Sequence, residues 1–258
     1  MKKTMKFLCM TALVLVGAVM TGCSNDDDSV VDNKKVVTLT TTIGFEDSLA
    51  LTRALTAGGV KTFAAGEKLA LKYHNGSSWV VAESKALQST DIADGNKLAK
   101  FTFTLTDPTN ADVTYIYPAS MANSDGSVKD DALETQDGTL TSIASNLDLA
   151  TLTKSWDGSN LPTGTLTNQL AILAITLKNA DGSSEITNRI ETLTINDTYT
   201  VNRTPAAGPI YVAIRPTTTI NVTASDGTNN YSKTLTGKDY AAGKGYNVTW
   251  RMNPAPAN

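Results

Sequence analysis

Few side chains in this chain are equipped for bond chemistry. His74 is the single histidine, and the two cysteines are Cys9 and Cys23. Zinc sites take several His or Cys ligands, and a Ser–His or Cys–His nucleophile pair would have to recruit His74. The carboxylates Asp130, Asp131 and Glu134 cluster beside Lys129, a pattern expected of a solvated face rather than an acid–base pair. The sequence contains no Gly-x-Ser-x-Gly, no phosphate-cradling glycine loop and no His-Glu-x-x-His. Asn25-Asp26-Asp27-Asp28 lacks the spacing and the glycine of a calcium loop. No enzyme, no metal site and no cofactor is expected.

The N-terminus carries the most specific signal. Lys2, Lys3 and Lys6 precede an apolar run from Phe7 to Met20, short for a membrane span of ~20 residues and suited to a signal-peptide core. Met20-Thr21-Gly22-Cys23 follows and resembles the lipobox of bacterial lipoproteins, in which the cysteine is acylated and becomes the first mature residue. Cys9 leaves with the signal peptide, so no internal disulfide is expected. The tract Asp26-Asp27-Asp28 would be repelled by an anionic leaflet and resembles the export tract of Bacteroidetes surface lipoproteins. Without the three leading lysines the balance is 19 basic against 25 acidic residues, a net charge of −6. That argues against nucleic acid as a partner.

The elements that must position anything else are strands. The chain of 258 residues contains 39 threonines, is 41% hydrophobic, and is punctuated by Asp94-Gly95, Asp125-Gly126, Asp137-Gly138, Asp157-Gly158, Asp181-Gly182, Asp226-Gly227 and Asn75-Gly76. Threonine is β-branched and favours strands, and Asx-Gly pairs supply positive φ for tight turns. Val37, Leu39, Thr41, Ile43 and Phe45 share one face of a first strand. Leu69, Leu71 and Tyr73 line another, followed by Trp79 and Val81. Further alternation runs through Phe101, Phe103 and Leu105, Val113 to Tyr117, Leu193 and Ile195, Ile220 and Val222, and Tyr246, Val248, Trp250 and Met252. Leu170 to Leu177 is almost continuously apolar, as in a strand buried on both faces, and Asp130 to Leu152 suits one short helix or a long loop.

Strands at this spacing predict an all-β protein of two tandem antiparallel β-sandwiches. The expected organisation is a signal peptide over 1–22, an acidic linker over 23–35, a first sandwich over 36–162 and a second over 163–258.

Five features in order resemble the fimbrillin (Mfa-like) family, the type V pilus subunits of Bacteroidetes. They are the lipobox at Cys23, Leu51-Thr52-Arg53-Ala54, Phe63-Ala64-Ala65-Gly66-Glu67-Lys68-Leu69, Ile210-Tyr211-Val212-Ala213-Ile214-Arg215-Pro216, and Ala242-Gly243-Lys244-Gly245-Tyr246-Asn247-Val248. The resemblance implies transthyretin-like domains, export to the outer membrane, and cutting by a trypsin-like protease between Arg53 and Ala54. It also implies polymerisation with other pilus subunits into a fimbria that serves adhesion. The cut would release residues 36–53 with the first strand, opening a groove for a strand from another subunit.

The possible donor is the last strand, Tyr246, Val248, Trp250 and Met252, but Pro254 and Pro256 behind it lack N–H groups and extend a ladder poorly. Either the last strands swing out, or the subunit accepts without donating, as a tip or minor subunit would. A rival expectation is a permanently anchored surface lipoprotein that binds glycans or host adhesion targets. Trp156, in the turn Ser155-Trp156-Asp157-Gly158, is its expected exposed contact, with Trp79 and Trp250 expected in the core.

Overall fold

The structure, a computed structural model, describes residues 34–45 and 62–255. The first strand, β1 (Val36–Phe45), is a run of β-branched residues, stiff at χ1 and suited to the pleat. It is followed by β2 (Ala70–His74), β3 (Trp79–Glu83), β4 (Ile92–Ala93), β5 (Leu98–Thr106) and β6 (Val113–Tyr117). A mainly helical stretch holds β7 (Thr135–Gln136) and leads to β8 (Ala150–Lys154) and β9 (Gly164–Asn168). Then come β10 (Ala171–Lys178), β11 (Thr192–Ile195), β12 (Tyr199–Asn202), β13 (Ile210–Ile214), β14 (Thr217–Ser225), β15 (Asn230–Tyr240), β16 (Gly245–Arg251) and β17 (Asn253–Pro254). The chain is almost all β, as its composition requires.

The strands before residue 169, β7 apart, form one sheet in the order β3-β2-β6-β8-β9-β1-β5-β4. This sheet doubles over. Phe101, Phe103 and Leu105 of β5 and Ile43 of β1 share a core with Leu71 and Tyr73 of β2 and Val113, Tyr115 and Tyr117 of β6. The later strands form a three-stranded sheet, β13-β10-β16, and a six-stranded sheet, β17-β15-β14-β11-β12-β7. Their inward residues, among them Leu173, Ile175, Val212, Val248 and Trp250 against Leu193, Ile195, Ile220 and Val222, form a second core.

A third cluster lies between the outer faces of both halves. Ala70 and Ile116 from the first sheet meet Ile172 and Ala213 from the three-stranded sheet across Met121, Leu133, Ile143 and Leu147. This explains the apolar run of β10: Leu173, Ile175 and Leu177 face the second core, while Ile172 faces the middle layer. The middle layer is built from short helical turns, at Asp130–Leu133 and at α1 (Leu140–Ser142), which continues into Ile143–Leu147. Thr139 caps α1, its hydroxyl accepting the Ser142 N–H at 3.2 Å.

Two strands cross the expected boundary at 162/163. β9 pairs with β8 and β1 inside the first sheet, and β7 pairs with β12 in the six-stranded sheet. Both are short, so their alternation is too brief to read from sequence.

Candidate assembly site

β1 is held on two sides. Nine residue pairs, from Val36–Thr106 to Gly44–Leu98, join it antiparallel to β5. Three more, Ile43–Gly164, Gly44–Thr165 and Phe45–Leu166, join it parallel to β9. Its start is clasped reciprocally: the Lys35 N–H donates to Asp107 Oδ1 at 2.6 Å, and the Asp107 N–H donates to the Lys35 carbonyl at 2.7 Å.

The expected comb faces inward. Val37 and Leu39 are partly buried, and Thr41, Ile43 and Phe45 are buried, so cover deepens along the strand. The outward threonines form a ladder, with Thr40 Oγ1 3.2 Å from Thr102 Oγ1. Thr41 is the polar tooth, and its hydroxyl is satisfied by donating to the Pro162 carbonyl at 2.9 Å. The Tyr115 hydroxyl donates to the same oxygen at 2.8 Å, and burial pushes this phenol well above its ordinary range. Gly44 allows a close approach, since a Cβ there would lie 2.8 Å from Leu98 Cδ2.

Phe45 anchors the far end. Its ring stacks on Phe63 with centroids 4.3 Å apart and meets Tyr117 edge-on at 5.3 Å. The Phe45 N–H donates to the Lys97 carbonyl, and the Phe63 N–H donates to the neighbouring Asn96 carbonyl at 2.7 Å. Phe45 and Phe63 therefore lie side by side in the fold. Arg53 and Ala54 lie between these points, outside the described residues, as does Cys23.

The C-terminal strand is held differently. β16 pairs parallel with β10 through seven positions, Ile172–Gly245 to Lys178–Arg251. Val248, Trp250 and Met252 are buried in the second core, and Tyr246 packs against it. Beyond β16 the Met252 N–H donates to the Lys178 carbonyl at 2.9 Å, β17 pairs with β15 at the sheet edge, and the Ala255 N–H donates to the Asn230 carbonyl at 2.8 Å. Pro254 sits in the edge strand, where a missing N–H is tolerated.

The exposure expected of the tryptophans is inverted for two of the three. Trp156 is 3% exposed and packs in the first core, with its indole N–H unpartnered, so it offers no platform to a ligand. Trp79 is 44% exposed on β3, an edge strand, with Lys72 Nζ 5.3 Å from its ring. Trp250 is buried as expected. Alternation shows which residues share a face, but not which face another layer covers.

Gln136 carried no signal in the sequence. It is buried and forms a side-chain rung on the margin of β13: the Ala213 N–H donates to its Oε1 at 2.9 Å, and its Nε2 donates to the Ala213 carbonyl at 2.7 Å. The helical turn before it is tied to the same strand's end, where Arg215 Nε donates to Asp130 at 3.0 Å.

No family model and no curated protein matches the chain. Among solved structures it is similar to a fimbrial assembly protein from Parabacteroides distasonis, at 11% identity over 84% of this chain and 92% of that one, with a TM-score of 0.40. It is also similar to provisionally named cell adhesion proteins from Bacteroides fragilis and Bacteroides uniformis. The first is 14% identical over 82% of this chain and 92% of its own, with a TM-score of 0.41. The second is 16% identical over 85% and 97%, with a TM-score of 0.42. Likeness at this level assigns no function.

Proposed function

We propose that the chain is a non-enzymatic pilus subunit of the cell surface, exported as a lipoprotein through Cys23, matured by a cut after Arg53 and assembled by strand exchange at the β1 position. The observation that carries this reading is β1 itself: a ladder strand between β5 and β9, with an inward comb over the first core, whose only onward connection runs through residues 46–61. A cut after Arg53 severs that connection and leaves β1 held by non-covalent contacts alone.

Loss of β1 unpairs nine positions on β5 and three on β9, and uncovers Phe63, Phe101 and Phe103. Exposing several apolar side chains at ~25 cal/mol per Å² costs several kcal/mol, comparable with a whole domain's ~5–15 kcal/mol. An incoming strand that restores the ladder and fills the comb regains this, which drives assembly and keeps the uncut precursor monomeric. The order of features that resembles fimbrillins supports the same reading, including a two-sandwich organisation. Because β16 and β17 are built into their own sheets, donation of a strand requires these last strands to swing out of their places.

The test is trypsin treatment of purified precursor followed by a gel. The expected result is a ladder of multimers whose mature chains begin at Ala54, and no ladder from Arg53→Ala. Multimers from uncut Arg53→Ala protein would overturn the proposal.

The exposed Trp79 favours a second reading, an anchored lipoprotein that binds glycan through the β2–β3 hairpin. A glycan array with Trp79→Ala as control separates the two.

A further inference from the structure

The turn joining β2 to β3 reads His74-Asn75-Gly76-Ser77-Ser78 and contains the chain's single Asn-Gly pair. At such a pair the glycine nitrogen can attack the asparagine side-chain amide, because no Cβ stands in its path. The attack needs a base on the glycine N–H, donors for the oxygen that becomes anionic, and a proton for the departing ammonia.

All three are assembled here. The Gly76 N–H donates to His74 Nδ1 at 3.1 Å. An N–H can only donate, so Nδ1 presents its lone pair in this contact and the neutral ring keeps its proton on Nε2. Asn75 Oδ1 accepts the Ser77 N–H at 3.1 Å, the Ser78 N–H at 2.8 Å and the Ser78 hydroxyl at 3.5 Å. Beside the imidazole, Thr109 Oγ1 lies 3.2 Å from Nδ1 and donates to the His74 carbonyl at 3.0 Å, and Trp79 is edge-on at 5.3 Å. Three of the Asp-Gly turns engage the glycine N–H differently. Gly126 and Gly182 donate to carbonyls, and Gly227 donates to the Ser225 hydroxyl.

We propose that Asn75 is a self-modification site, where His74 promotes conversion of the asparagine to aspartate and isoaspartate. The Gly76 nitrogen gives its proton to His74 Nδ1 and bonds to Asn75 Cγ, while Oδ1 takes the negative charge against the Ser77 and Ser78 donors. The Cγ–Nδ2 bond then breaks. His74 returns the proton to the leaving nitrogen, and ammonia departs from a five-membered succinimide. Water opens either ring carbonyl, giving aspartate or isoaspartate, so the net reaction consumes one water and releases one ammonia with no redox change. The product adds a negative charge at the tip of an edge hairpin, beside the exposed Trp79 and Lys72.

The test incubates the full folded chain, the same chain unfolded in urea, and a synthetic peptide of residues 70–83. Asn75 conversion is followed by peptide mass and isoaspartate content. The folded chain is expected to convert about tenfold or more faster than the peptide or the unfolded chain, with His74→Phe reducing its rate to theirs. Ser78→Ala should slow it less, since two backbone donors stay. A folded chain that converts no faster than the peptide, or a His74→Phe rate equal to that of the unaltered chain, overturns the proposal. Should His74→Phe fail to fold, the comparison of folded with unfolded unaltered chain decides alone.

Discussion

β1 and β16 are both strands in parallel contact with a central strand, yet they are retained by different means. β1 has long antiparallel pairing to β5 but only three parallel pairs to β9, and its cover thins towards Val37 and Val36. β16 has seven parallel pairs and buried Val248 and Trp250, with buried Met252 just beyond it and a tail stitched to β15. Most of the hold on β1 is concentrated in Thr41, Ile43 and Phe45, so a strand supplying the same ladder and three well-placed side chains could replace it. β16 has a list as short, but the chain behind it is also stitched to β15. Exchangeability depends on how retention is distributed as much as on how much apolar surface is buried.

The largest expected effect tests this directly. Phe45→Ala and Trp250→Ala should each cost about 3–5 kcal/mol in urea unfolding, since each removes a buried ring. Only Phe45→Ala should speed hydrogen exchange along Leu98–Thr106 while β10 stays protected. Equal loss of protection on both strands would erase the contrast. A comparable loss is expected at Gln136→Leu, which leaves the Ala213 N–H and carbonyl without their partner at about 1–3 kcal/mol per unsatisfied group. Its signature is faster exchange at the Ala213 amide with β1 unaffected.

The smallest effect is on pH dependence at the turn between β14 and β15. Burial raises the Asp226 pKa, but the Asn229 N–H, the Tyr231 hydroxyl at 2.8 Å and other donors outweigh it and hold the group at about 2, against an ordinary 3.8. A depressed carboxylate stabilises the fold above its unfolded value and loses that contribution as pH falls through its folded value. The thermal midpoint should therefore decline between roughly pH 4 and pH 2, and Asp226→Asn should flatten that part of the curve. An unchanged slope in Asp226→Asn would remove Asp226 as the cause.

Much of this architecture was legible in the residues. The comb Val37 to Phe45 was readable because side chains alternate with period two whatever the strand packs on, and β10 because both its faces are apolar. The expected exposure of Trp79 and Trp156 went astray for a related reason: alternation sorts side chains into two faces without naming the covered one, and a turn residue such as Trp156 has no periodicity at all. Gln136 was invisible because its role depends on lying beside Ala213, far away in the chain.

Local chemistry thus determined the strands and the Asx-Gly turns, since torsional preference belongs to each residue. Only the tertiary structure decided that β1 lies between β5 and β9, that Phe45 stacks on Phe63, and that β16 is stitched down. Those are contacts between distant segments, and their energies exist only once the sheets have closed over a shared core.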